Sequence, residues 1–263
     1  MITSYQNPRI KWLKALQNQP RLRRAEKTFV VEGVRLVEEA LAAGWKARFI
    51  IHTQDLSERG QKVLQGFAVQ GAPIEQVTES VLHSASATVS SSELLAALEW
   101  LDLPLPSKPD FVLIADQIRD PGNLGAMLRT ALAAGVQAAL LPPETTDAFA
   151  PKTLRAGMGA HFRLPIRSLA WEAITQYLKD VPLLLAATDE GAPYTQTDLQ
   201  APFALIVGNE AQGASPAARQ AAGGCLHIPL PGKSESLNAA VAAGVLMFEA
   251  VRQRQLSRLP VSK

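Results

Sequence analysis

The run Phe203-Ala204-Leu205-Ile206-Val207 holds five apolar residues in a row and constrains this chain more than any other stretch. A strand with one wet face alternates apolar and polar residues. An unbroken apolar run of this length fits a strand covered on both faces. Phe111–Ala115 and Leu183–Ala187 repeat the pattern, with a shorter version at Ala138–Leu141. Helical stretches separate them: residues 124–134, stopped by Gly135, then 171–178, and a long final helix over 236–252. Buried strands alternating with helices predict an α/β domain, a parallel sheet with helices on both faces.

Residues 101–110, Leu-Asp-Leu-Pro-Leu-Pro-Ser-Lys-Pro-Asp, carry three prolines. Proline fixes φ and steers the preceding residue away from helix, so the stretch reads as an extended linker. It divides the chain into a smaller domain over 1–103 and a larger one over 110–263. In the smaller one, strands are expected at 28–31, 48–52 and 74–77. Helices are expected at 7–16, 34–43 (with Gly44 as the stop) and 56–66. That alternation predicts a second, smaller α/β domain.

The net charge of +2 hides an asymmetry. Residues 1–48 hold ten Lys/Arg against four Asp/Glu, a net of +6, which leaves −4 for the remainder. A basic segment is what a phosphate backbone attracts, and it is equally what a solvated helix face presents. The lone cysteine, Cys225, permits no internal disulfide and reads as a small buried residue in a reducing compartment. No apolar stretch is long enough to span a membrane, and the first residues lack the apolar run of a signal peptide, so a cytoplasmic location is expected.

In parallel sheets, ligands bind in the loops beyond the C-terminal strand ends. Three such loops carry unusual chemistry. The first, residues 116–130, turns through Asp120-Pro121-Gly122 into a helix with Asn123 at its mouth and Arg129 almost two turns on. Arg129 could hold a phosphate; read alone, Asn123 is equally an N-cap and Arg129 a surface residue. The second, residues 207–216, brackets Glu210 between Gly208 and Gly213, a ligand loop or simply a tight turn before a helix capped by Ser215-Pro216. The third, residues 228–244, passes through Ile228-Pro229-Leu230-Pro231-Gly232 into Ser236-Leu237-Asn238 and a helix of alanines and Gly244. Small residues there permit close packing, or serve only as helix filler behind a Ser236 cap.

Taken in order, these segments resemble the SpoU (TrmH) family of RNA 2′-O-ribose methyltransferases, of the SPOUT class. The family's N-x-G-x-x-x-R-T-A motif matches Asn123 through Ala131. Its G-x-E-x-x-G turn matches Gly208 through Gly213. Its Ile-Pro and Ser-Leu-Asn segments match the stretch from Ile228 to Gly244, and Arg155 to Ala160 also fits. Asn7-Pro8-Arg9-Ile10-Lys11 and Phe29-Val30-Val31-Glu32-Gly33 resemble the family's L30e-like substrate-binding domain, although Ser91-Ser92-Glu93 stands where relatives often carry Pro-Gln-Gly.

The resemblance implies a catalytic domain tied in a trefoil knot, an S-adenosylmethionine cofactor bound there, and a homodimer. It implies that Gly208, Ile228, Leu230 and Leu237, with Thr188 after its strand, contact the cofactor. The implied catalytic group is Asn123, Arg129, Glu210, Ser236 and Asn238. A guanidinium holds its proton too tightly to be a good base, so Arg129 is expected to clamp a substrate phosphate and polarise the 2′-hydroxyl, oriented by Glu210. No metal is expected, since a sulfonium is already an activated methyl donor. The RNA grip is expected from Arg9, Lys11, Lys14, Arg21, Arg23, Arg24 and Lys27. Ribosomal RNA is the expected substrate. A tRNA substrate, or a non-catalytic RNA-binding protein of the same fold, are the alternatives. A dinucleotide enzyme is disfavoured, because G-x-G-x-x-G is missing after the first strand.

Overall fold

The computed structural model describes residues 1–88, 92–209, 211–232 and 235–256. Ser91 falls outside that set. The chain forms two compact units. Met1–Asp102 together with Phe149–Phe162 make the first; Leu103–Ala148 and the chain from Arg163 onward make the second.

The first unit begins with α1 (Pro8–Asn18) and α2 (Pro20–Glu26). It continues through β1 (Thr28–Glu32), α3 (Val34–Ala42), β2 (Ala47–His52), α4 (Glu58–Val69), β3 (Ile74–Gln76), α5 (Glu79–Ala85) and β4 (Leu94–Glu99). Asn7 caps α1 by accepting from the Arg9 amide, and Ser57 caps α4 in the same way. The sheet order is β1-β4-β2-β3; β4 is antiparallel to both neighbours, and β2 and β3 run parallel. Ile10, Leu13 and Leu16 of α1 and Val81, Leu82 and Ala85 of α5 bury against Val30, Phe49, Ile51 and Leu95 of the sheet.

In the second unit, β5 (Phe111–Ala115), α6 (Pro121–Ala133) and β6 (Ala138–Leu141) form a parallel crossover. The chain then runs through α7 (Pro151–Gly157), which belongs to the first unit. Aromatic packing holds this excursion. The Phe149 ring lies 4.8 Å from Phe29 and 3.9 Å from Trp100, and Trp45 Nε1 donates to the Phe162 carbonyl at 3.1 Å.

The chain continues as β7 (Ile166–Ser168), α8 (Trp171–Tyr177), β8 (Leu183–Ala187), β9 (Ala192–Pro193), β10 (Phe203–Val207), α9 (Pro216–Ala221), β11 (Gly224–His227) and α10 (Ala239–Leu256). All strand pairings are parallel, in the order β7-β6-β5-β10-β8-β11-β9. Every residue of β5, β6 and β10 is buried, as their unbroken apolar runs require. On one face Val112, Ile114, Ala204 and Ile206 pack with Ile174 and Leu178, from α8 and its C-cap, and with Ala218 of α9. The alternating residues point the other way, which leaves the opposite face to α6 and α10. Those helices pack on one another, and a Cβ placed on Gly244 would lie 3.6 Å from the Thr130 methyl. Cys225 is half-buried rather than buried, because its strand is backed on the outside only by the two-residue β9.

Candidate active site

The strand order places the C-terminal ends of β5, β10 and β8 side by side. Asp116, the residue after β5, is fully buried, and its carboxylate accepts from the Ser215 amide at 2.7 Å and the Ser215 hydroxyl at 3.1 Å. Ser215 in turn caps α9 by accepting from the Ala218 amide. One buried carboxylate thus ties the end of β5 to the far side of the turn that follows β10.

That turn closes on itself through paired backbone hydrogen bonds between Asn209 and Gly213. Asn209 Oδ1 accepts from the Ala211 and Gln212 amides, while its Nδ2 donates to the Gln117 carbonyl at 3.0 Å. Gly213 has φ +69°, which favours glycine. At Gly208 the constraint is steric: a Cβ would stand 2.6 Å from the Ala214 nitrogen. Glu210 lies outside the described residues.

The first loop enters α6 through Asp120, whose side chain accepts from the Asn123 amide at 2.9 Å. Asp120, not Asn123, is therefore the N-cap. Asn123 stands inside the first turn, and its Oδ1 accepts from Asn238 Nδ2 at 3.0 Å. Asn238 caps α10 by accepting from the Ala240 and Val241 amides, a role the sequence offered to Ser236. The Asn123–Asn238 bond fastens the start of α6 to the start of α10. Arg129 lies roughly 9 Å further along α6. It is exposed and makes no side-chain hydrogen bond or ion pair with the described residues.

Between these loops lies a cavity of about 350 Å³. Thr188, Gly208, Ile228, Leu230 and Leu237 all line it, with Ser236 beside them. These residues come from the segments after β8, β10 and β11, and the fold brings them together. Asn123, Arg129 and Asn238 do not line it. Asp116, Asn209 and Arg219 were not singled out in the sequence. Asp116 and Asn209 follow the apolar strands directly, so the strand-end rule could have found them. Arg219 sits inside a helix and carries no such signal.

In the first unit, Arg9, Lys11, Arg21, Arg24 and Lys27 are exposed and Lys14 is half-buried beside Tyr5. Arg9 pairs with Glu75, and Lys27 with Asp102 at 3.7 Å. Arg23 departs from expectation. It is buried, at 2% exposure, and donates to the Leu16 and Gln17 carbonyls. It satisfies the last carbonyls of α1 and is withdrawn from any RNA-facing surface.

Comparison with known proteins places this geometry. The profile of the SpoU rRNA Methylase family matches residues 110–248, and that of the MRM3-like substrate binding domain matches residues 7–96. The chain is 34% identical to the 23S rRNA (guanosine(2553)-2′-O)-methyltransferase RlmP of Bacillus subtilis, over 94% of this chain and 97% of the relative. It is 30% identical to the 23S rRNA (uridine(2479)-2′-O)-methyltransferase of Streptomyces viridochromogenes, over 92% and 88%. It superposes on an AdoMet-bound rRNA methyltransferase from Sinorhizobium meliloti with a TM-score of 0.86 at 31% identity, covering 98% of each chain.

Proposed function

The chain belongs to the SpoU rRNA Methylase family, and from that premise we propose that it transfers a methyl group from S-adenosylmethionine to a ribose 2′-hydroxyl of ribosomal RNA. The observation that carries this reading is the cavity, where residues from three separate loops meet. Its volume of about 350 Å³ fits a ligand of this size, and its wall mixes small apolar residues with polar ones, which suits the flat base and the hydroxyls of an adenosine. Ile228, Leu230, Leu237 and Thr188 would hold the cofactor, with Gly208 keeping the turn close. When bound, the sulfonium supplies a methyl group already activated for transfer.

The protein's own task is to align a ribose oxygen and remove its proton. Asn123 and Asn238 fix the two helix starts beside the cavity, so the reacting groups meet a rigid rim. Arg129, exposed on α6, clamps a phosphate of the substrate and polarises the adjacent 2′-hydroxyl. Ser236 stands at the rim, and Glu210 is assigned by the family motif to orient Arg129. The exposed cations Arg9, Lys11, Arg21, Arg24 and Lys27 of the first unit, with the half-buried Lys14, grip the RNA backbone, and the need for a 2′-hydroxyl excludes DNA as a substrate.

We assign residues 1–103 chiefly to RNA binding and 110–263 to catalysis, and place the enzyme in the cytoplasm as a homodimer. Among the described residues no helix is long and apolar enough to cross a membrane. Transfer of tritiated methyl groups to purified ribosomal RNA, with tRNA as the parallel substrate, tests the reading. Incorporation into ribosomal RNA alone is expected; incorporation into tRNA alone would reassign the substrate. Light scattering of the eluting protein tests the dimer.

A further inference from the structure

Arg219 is the single charged side chain among the described residues lining the cavity. It stands on α9, at the end of the wall formed by the turn that follows β10. Its Nη1 donates to both carboxylate oxygens of Glu190 at 3.1 Å. Glu190 sits two residues beyond Thr188, which lines the same cavity. The Nε–Nη2 edge of the guanidinium has no hydrogen-bond partner among the described residues. A Cβ built on Gly213 would lie 3.8 Å from Nη2, which places Nη2 beside the glycine turn lining the cavity.

This is the edge with which a guanidinium grips a carboxylate through two parallel hydrogen bonds. The rest of the wall is mixed. Leu185, Ile228, Leu230, Leu237 and Leu246 are apolar, while Thr188, Asn209, Gln212, Arg219 and Ser236 are polar, and Arg219 alone is charged among the described ones. A ligand that carries a flat base, hydroxyls and a single carboxylate matches that mixture, with the one charged group of the wall facing the one anionic group. We infer that Arg219 binds the methionine α-carboxylate of S-adenosylmethionine through its Nε–Nη2 edge, with Glu190 as the positioning residue that holds the guanidinium toward the cavity. The inference rests on the methyltransferase reading. Arg219 and Glu190 are both about half exposed (49% and 54%), so the pair between them adds little to fold stability and is free to serve orientation.

Calorimetric binding of two ligands to the full chain tests it. S-adenosylhomocysteine carries the carboxylate; 5′-methylthioadenosine keeps the adenosine and the thioether but lacks the amino-acid portion. Arg219→Gln is expected to weaken S-adenosylhomocysteine by roughly tenfold to a hundredfold and to leave 5′-methylthioadenosine within about twofold. Arg219→Lys, which keeps the charge but not the fork, is expected to fall between. Unchanged binding of both ligands to Arg219→Gln would overturn the inference, all the more so if the KM for RNA rose, because the residue would then serve the RNA. Equal weakening of both would also overturn it, since the loss would not depend on the carboxylate. If the wild-type chain bound neither ligand, the methyltransferase reading would fail along with it.

Discussion

A side chain at position 208 has nowhere to go, because the Ala214 nitrogen already lies 2.6 Å from where its first carbon would stand. Gly208→Ala must therefore open the turn that lines the cavity. We expect a loss of stability of about 1–3 kcal/mol, the usual cost of overpacking, together with a cofactor affinity at least tenfold weaker. Thermal unfolding and calorimetry check the two separately. Asp116 carries a comparable burden, since it alone satisfies the Ser215 amide and hydroxyl in a fully buried setting. Asp116→Ala leaves both donors unpaired, and a cost of about 2–4 kcal/mol follows. Arg129 should behave in the opposite way. It is exposed and holds up nothing among the described residues, so Arg129→Ala should melt like the wild type and bind the cofactor normally. Its turnover should fall by roughly a hundredfold or more, the scale seen when one group stabilising a transition state is removed. Near-normal turnover would remove Arg129 from the mechanism.

Among the elements, the sheet of the second unit was the most legible. Strands buried on both faces must be apolar throughout, and β5, β6, β8 and β10 stand where their runs predicted. What escaped was short or compositionally ambiguous. Leu94–Glu99 reads Leu-Leu-Ala-Ala-Leu-Glu, a strong helix composition, yet β4 lies between two antiparallel neighbours that impose extended geometry. The strands β7, β9 and β11 span two to four residues each and leave no periodic trace. The three loops were legible as ligand loops from their places after apolar strands. Their joint meaning came from the ordered motifs, and Arg219 came only from the structure. One element carries its own pH test. On α10 the Arg252 guanidinium, hydrogen-bonded to the buried Glu249, holds that carboxyl below the usual carboxylate range, with Gln253 adding to the effect. A carboxyl depressed on folding contributes stability above its unfolded pKa of about 4.3, and that contribution is lost as pH falls through the folded value. Glu249→Gln should therefore unfold at a lower temperature than wild type at pH 7, and the difference should vanish toward pH 3.

At the scale of the molecule, the charge asymmetry acquires a structural meaning. Of the seven cations expected to grip RNA, five are exposed on the first unit, two of them (Arg9 and Lys27) in surface ion pairs, Lys14 is half-buried, and Arg23 is spent on the end of α1. Neutralising Lys11, Arg21 and Arg24 together should weaken RNA binding and flatten its salt dependence by about 0.7 per lost contact to a single strand, with cofactor affinity unchanged. Arg23→Ala should instead lower the melting temperature. The loops meeting at the cavity are read here as delivering a methyl group to a ribose oxygen. Digesting the methylated ribosomal RNA to nucleosides and locating the label by mass spectrometry checks that delivery. The methyl is expected on the ribose of one nucleotide, and is expected to be absent with Arg129→Ala. A methyl group on a base, or none from a protein that binds the cofactor and the RNA, would contradict that reading.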